Sequence, residues 1–203
     1  MSNQGSLSID ATCAPADIRH PTDLSFLNEA REVTEKLIDA MHPQVRETFG
    51  LKPRTHRKKA RQKFLAMAKK KRPRIAKIRK AIKQLLGHLD RNLASIDALI
   101  TCGASLLAAG RHWYQKLLVV GELVRQQRNL SDCDSRSIPH RIVSLYQAHI
   151  QPIVHGKAGC NVEFGTKISV SVTGDGFTFL DQLSHAPYNE GKDLKSKAQA
   201  YRH

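Results

Sequence analysis

The sequence predicts an α/β protein in which a small sheet is interrupted by a long, basic helical insertion. Three observations carry that expectation. Residues 6–12 (SLSIDAT) alternate Leu7, Ile9 and Ala11 with Ser6, Ser8 and Asp10, the period-two pattern of a strand. Ile75, Ile78, Ile82, Leu85, Leu89, Leu93, Ile96 and Ile100 recur every three or four positions, which gives an amphipathic helix of about seven turns. Residues 162–172 and 177–183 alternate on either side of Thr173-Gly174-Asp175-Gly176, which reads as a hairpin and its turn.

The elements between these follow in order. Pro15 and Pro21 end the first strand region, and Thr22 is placed to cap a helix that buries Leu24, Leu27, Ala30, Leu37, Ile38 and Met41. Gly50 and Pro53 close that unit. Residues 55–71 form a second helix with Ala60, Phe64 and Met67 on one face, and Pro73 stops it. After the long helix, Gly103 and Gly110 bracket a turn. Trp113, Leu117, Val120, Leu123 and Val124 then begin a helix that ends near Asn129. The long helix and this one are expected to pack as a hairpin, each covering the other's apolar stripe, with the Trp113–Tyr114 pair in the core. Residues 131–160 read as an irregular connector, and 193–201 begin a last helix. The resulting division is 1–50 (first strand and helix), 51–130 (basic helical insertion), 131–160 (connector) and 161–203 (hairpin and start of the next helix).

Charge is distributed very unevenly. Between Glu47 and Asp90 there is no carboxylate and there are sixteen Lys or Arg residues. The rest of the chain holds 17 of its 33 basic residues against all 18 acidic ones, so the formal charge of +15 is one local block. A solvated helix face normally intersperses acids at i,i+4. A carboxylate-free block calls instead for a polyanion, and nucleic acid fits better than an anionic membrane surface. The candidate contacts are Arg54, Arg57, Lys58 and Arg61 along one side of the first basic helix, with Lys59 beside them, then Lys69, Lys70, Lys71, Arg72 and Arg74 around Pro73. Lys77, Arg79, Lys80 and Lys83 continue on the long helix. Aromatic residues make up 5% of the chain, too few for a single-strand binder that stacks bases on rings, so duplex DNA held through its phosphates is the expected partner.

Other chemistry is thinly represented. Cys13, Cys102, Cys133 and Cys160 show no CxxC or zinc-like spacing and read as reduced thiols. His140, His149 and His155 are spaced nine and six residues apart, which is not a metal-ligand signature. Gly156-Lys157-Ala158-Gly159 and Gly174-Asp175-Gly176 do not join a strand to a helix as a phosphate loop does, although the first, with Lys157 and Lys167, could lie near DNA. The first seven residues have no basic patch or apolar stretch, and no run is long enough to span a bilayer, so a cytoplasmic protein without signal peptide or membrane partner is expected.

Asp10 is the exception among the acids. A carboxylate within a strand is disfavoured by propensity and needs a cation or an exposed edge. The stretch IDATCAPADIRHPTDLSFLNEARE at 9–32 resembles the start of the catalytic domain of bacterial DDE-class insertion-sequence transposases. The stretch HGKAGCNVEFGTKISVSVTGDGFTFLDQLSHAPYNEGKDL at 155–194 resembles the next part of that domain. RKKARQKFLAMAKKKRPRIAKIRKAIKQLL and HWYQKLLVVGELVRQQ resemble the helical insert of one branch of the family. The resemblance covers almost the whole chain in the same order. It implies the first three strands of a ribonuclease-H-like sheet, with Asp10 as the first catalytic carboxylate and Mg²⁺ ligand, and strand cleavage and transfer by two metal ions in the complete enzyme.

The family's second Asp and its Glu match no residue here. Asp17, Asp23, Asp181 and Glu190 are not placed in those roles; Asp23 reads as a first-turn helix acid and Glu190 as a loop or cap residue. The resemblance therefore implies an internal piece that binds DNA, is open to homo-oligomerisation on it, holds Mg²⁺ weakly and is inactive alone. The competing readings are a non-enzymatic basic module for RNA or DNA, and an inert product of a disrupted element whose exposed sheet edge melts early. The first two differ in one geometric expectation: in the transposase reading the strand at 6–12 pairs in the same sheet as the hairpin.

Overall fold

The computed structural model describes residues 5–18, 22–133, 135, 137–154, 162–189, 191 and 194–202. The protein is mixed α/β, and its described residues form an open antiparallel sheet of four strands. It divides into two compact units, 1–19 with 147–203, and 20–146. The helix that sequence grouped with the first strand thus belongs with the basic helices, because its apolar residues are buried among theirs.

The sheet unit contains β1 (Leu7–Pro15), β2 (Gln151–Val154), β3 (Val162–Thr173) and β4 (Thr178–Ser184). β3 is central. β1 pairs with it antiparallel from Leu7↔Thr173 to Pro15↔Gly165, and β4 pairs antiparallel with Lys167 to Val172. Both partners face the same stretch of β3, so they occupy its opposite edges. β2, in the stretch expected to be irregular, pairs with Val162 to Gly165. Its four residues are too few for alternation to stand out from a segment containing Pro152. Gly165 is required where β1 and β3 meet, since a Cβ there would overlap the Ala14 carbonyl oxygen. A bulge between Ser169 and Val170 shifts the register against β4.

The helical unit is built around α1 (Asp23–Met41). Thr22 caps it as expected: Thr22 Oγ1 accepts the Ser25 N–H at 3.2 Å, and Ser25 Oγ accepts the Thr22 N–H at 3.1 Å. A 3-10 turn at His42–Val45 and the short α2 (Arg46–Phe49) follow, then α3 (Arg57–Ala68), α4 (Ile75–Thr101), the single-turn α5 (Leu106–Ala109) and α6 (Arg111–Asp132). One cluster packs Phe26, Leu27, Ala30 and Val33 of α1 against Leu85, Leu86 and Leu89 of α4 and Val120, Leu123 and Val124 of α6. A second joins Leu37, Ile38 and Met41 to Ile96 and Leu99. Each such buried aliphatic side chain stabilises the fold by about 1.5–3 kcal/mol. The long helix therefore lies chiefly against α1 and not, as the periodicity alone implied, against α6. Trp113 packs on both clusters, whereas Tyr114, expected beside it in the core, is 46% exposed.

Encircled by α3, α4 and α6, α1 buries polar residues as well. Arg31 is 1% exposed. Its guanidinium donates to Glu35 and to Asn28 Oδ1 at 2.8 Å, so the charge enters the core already paired. Nearby, Asn92 Nδ2 donates to Thr34 Oγ1 at 2.9 Å.

A last helix, α7 (Leu194–Arg202), contacts β1 in the sheet unit. No helix among the described residues is long and apolar enough to cross a membrane.

Candidate nucleic-acid interface

The basic segment runs through α3, the tip at 69–74 and the first turns of α4. Ala60, Phe64 and Met67 of α3 turn toward Ala81, Leu85 and His88 of α4, with Leu24 of α1 beside them. That packing leaves the remaining faces to solvent. All fourteen of the cations expected to touch nucleic acid are exposed. Arg54 departs from its expected place. It sits in the non-helical stretch before α3, where Lys52, Arg54, His56, Lys58 and Lys59 line a shallow depression.

Two of the fourteen are engaged within the protein. Arg57 is held by Asp39, and Arg79 has an interaction of its own. Among the described residues, the other twelve have no ion pair. Lys52 and Lys63 belong to the same carboxylate-free segment and were not singled out by sequence. Lys52 Nζ also reaches Asp39, at 2.5 Å. Burial alone would raise the Asp39 carboxyl, but hydrogen bonds from Arg57 and Lys52 outweigh it and hold the group below its ordinary range.

Asp10 lies midway along β1, with its side chain on the exposed face of that strand. It stands opposite Val170, whose partner on β4 is Leu180. Asp10 Oδ1 accepts the Ala11 N–H at 2.8 Å. The strand does pair in the sheet that contains the hairpin. Asp181 points to the other face: its Oδ1 accepts from Ser171 Oγ at 2.9 Å and its Oδ2 lies 3.5 Å from Lys197 Nζ. Asp23 belongs to the helical unit, in the first turn of α1, and pairs with Arg141 and Gln127. Glu190 is outside the described residues. Among the described residues no three His, Cys, Asp or Glu groups come together as a metal site. A two-metal centre needs several carboxylates, and the described residues do not gather them at Asp10.

Lys167, expected near DNA, is buried instead. Its Nζ donates to the Tyr188 carbonyl at 3.0 Å and lies 4.8 Å from the centre of the Tyr188 ring. His149 meets His185 edge-on, with ring centres 4.7 Å apart, and His140 belongs to the helical unit, its carbonyl accepting from Gln126. His155, Cys160 and the Gly156-Lys157-Ala158-Gly159 stretch are outside the described residues. None of Cys13, Cys102 and Cys133 forms a disulfide.

No family model matches the chain, and neither does any curated protein or solved structure.

Proposed function

We propose that this protein binds duplex DNA through the phosphate backbone, using the exposed cations of α3, the 69–74 tip and the first turns of α4. The observation that carries the reading is the carboxylate-free segment whose candidate cations all reach solvent. Helix α3 turns Ala60, Phe64 and Met67 toward Ala81 and Leu85 of α4, which leaves long, flexible ammonium and guanidinium groups on the other faces for a polyanion. If about six phosphates are neutralised, log K falls with log salt at a slope near −5. Fluorescence anisotropy of the full chain on a labelled duplex between low and physiological salt measures that slope. An affinity indifferent to salt rules the reading out.

The sheet unit is read as the leading part of a DDE-class transposase catalytic domain of ribonuclease-H-like fold. Three antiparallel strands in the order β1-β3-β4, interrupted after the first by the helical segment, support this, as does Asp10 on the first of them. With one acid of the three such enzymes use, the chain by itself is expected to bind DNA without cutting it. Incubation with supercoiled plasmid and Mg²⁺ or Mn²⁺ tests this. Nicking that disappears in Asp10→Asn overturns the expectation of inactivity.

A further inference from the structure

We infer that the tip between α3 and α4 enters the DNA minor groove with Arg72 and Arg74 and gives the protein a preference for A·T-rich duplex. This rests on the reading of the basic segment as a duplex-binding surface. The chain leaves α3 after Ala68 and enters α4 at Ile75, and five of the six residues between are cations: Lys69, Lys70, Lys71, Arg72 and Arg74. All five are exposed, and none is ion-paired among the described residues.

The sixth residue, Pro73, sets the shape. Its ring fixes its own backbone and disfavours the helical region for Arg72. Arg74 continues extended, with φ −63° and ψ 140°, before α4 begins. Arg74 is thus extended at the end of a short tip that bends at Lys71 and Arg72, on a packed two-helix base. In an extended stretch residues two apart are separated by about 6–7 Å, close to two steps along a DNA strand.

The grooves differ in what they admit. The major groove, about 12 Å wide, takes a helix or a two-stranded ribbon, and the minor groove, about 6 Å wide, takes only an extended segment. The tip carries no Asn or Gln to read a major-groove edge. It does carry arginine, which loses less hydration than lysine on entering a narrow, strongly negative minor groove, and A·T tracts supply that groove. The three lysines before the arm are left for phosphates. The helices grip the backbone without regard to base, and the arm adds a dependence on composition.

The test uses the full chain and two labelled duplexes of equal length, one an A·T tract and one G·C-rich, at physiological salt. Binding to the A·T duplex is expected to be tighter by about fivefold and to be displaced by a minor-groove drug such as netropsin. The charge-conserving pair Arg72→Lys with Arg74→Lys is expected to abolish the preference, so that this variant binds the A·T and G·C duplexes equally. Both positions are exposed and outside either core cluster, and a circular dichroism spectrum verifies that the variant is folded. Equal binding of both duplexes, or a preference kept by the lysine variant, overturns the minor-groove arm and leaves backbone binding standing. No binding to either duplex removes both.

Discussion

Arg57 and Asp39 form a two-pronged ion pair, with Nη1 2.8 Å from Oδ2 and Nη2 2.7 Å from Oδ1. It fastens the start of α3 to α1 and places a carboxylate beside a basic segment that has none of its own. Lys52 shares the same acceptor. One acid therefore subdues Arg57 of the proposed DNA surface and Lys52 beside it. Replacing Asp39 by Asn is expected to free both, tighten duplex binding by about threefold and steepen the salt slope by roughly one as Arg57 gains a phosphate. The pair is about a third exposed on the Asp39 side, so its loss should cost only about 0.5–1 kcal/mol of stability. Because the carboxyl is held below its ordinary value, that stability is present above the usual carboxylate range and fades as pH falls through it. Anisotropy and thermal melts on the one variant separate the two effects; unchanged affinity would show that neither cation meets DNA.

The pair between Arg31 and Glu35 behaves differently, since both side chains are buried. Burial pushes the Glu35 carboxyl up even though Arg31 opposes it by hydrogen bond and charge. Glu35→Ala leaves a guanidinium in the core with Asn28 and Glu32 as its remaining partners, and is expected to cost about 3–5 kcal/mol. Arg31→Met combined with Glu35→Leu should recover most of that loss. Urea denaturation of the single and double variants reads the difference. A double variant no more stable than Glu35→Ala would show that Asn28, Thr34 and Asn92 depend on the charge for their arrangement.

The contrast between these two pairs explains what was legible in the sequence. The strand around Asp10, the capped α1, the long α4 and the β3–β4 hairpin all follow from the period of their apolar residues and from cap and turn chemistry. Arg31 gave no such signal. A helix surrounded on most sides buries its polar residues too, and a lone Arg three and four residues from Asn28 and Glu35 looks like an ordinary surface pair. The same blindness put α4 against α6, since a stripe of apolar residues does not name its partner. For the site, the basic segment was legible as composition, whereas the clamp at Asp39 lies eighteen positions from Arg57 and emerges only from packing. Lys167 was misplaced because alternation on β3 says which residues share a face but not that α7 and Tyr188 contribute polar groups there.

His88 supplies a pH-dependent term within the helical unit. Burial holds its imidazole below the ordinary value of 6.5, and the charges of Arg91 and Arg31 push in the same direction. Its Nδ1 lies 2.9 Å from Arg91 Nη2, which places the neutral ring's acceptor against that guanidinium. The folded state resists protonation that the unfolded chain accepts. Stability is therefore complete above about pH 6.5 and is lost as pH falls from there toward the depressed folded value. The melting temperature should drop between pH 7.5 and pH 5.5 by a margin that shrinks in His88→Gln, which cannot gain the proton. Equal acid sensitivity in the two proteins would assign the loss elsewhere, with Glu35 excluded because its raised carboxyl favours the fold on acidification.

Gly165 tests how separately the two units behave. It sits where β3 faces Pro15 of β1 and Gln151 of β2, and a Cβ would collide with the Ala14 carbonyl oxygen and approach Cys13 Sγ to 2.8 Å. Backbone cannot yield as the end of a flexible side chain can, so Gly165→Ala is expected to destabilise the sheet by about 1–3 kcal/mol. The helical unit holds its own core clusters, from Phe26 to Leu145 and from Leu37 to Ala104, and none of those residues lies on a strand. Hydrogen exchange should therefore quicken at the amides of β1 and β3 and stay unchanged in α1 and α4. Duplex affinity and its salt slope should be retained, since every cation assigned to DNA belongs to the helical unit. Loss of DNA binding in step with the sheet would tie the basic surface to the strands and overturn its assignment to α3, the tip and α4 alone.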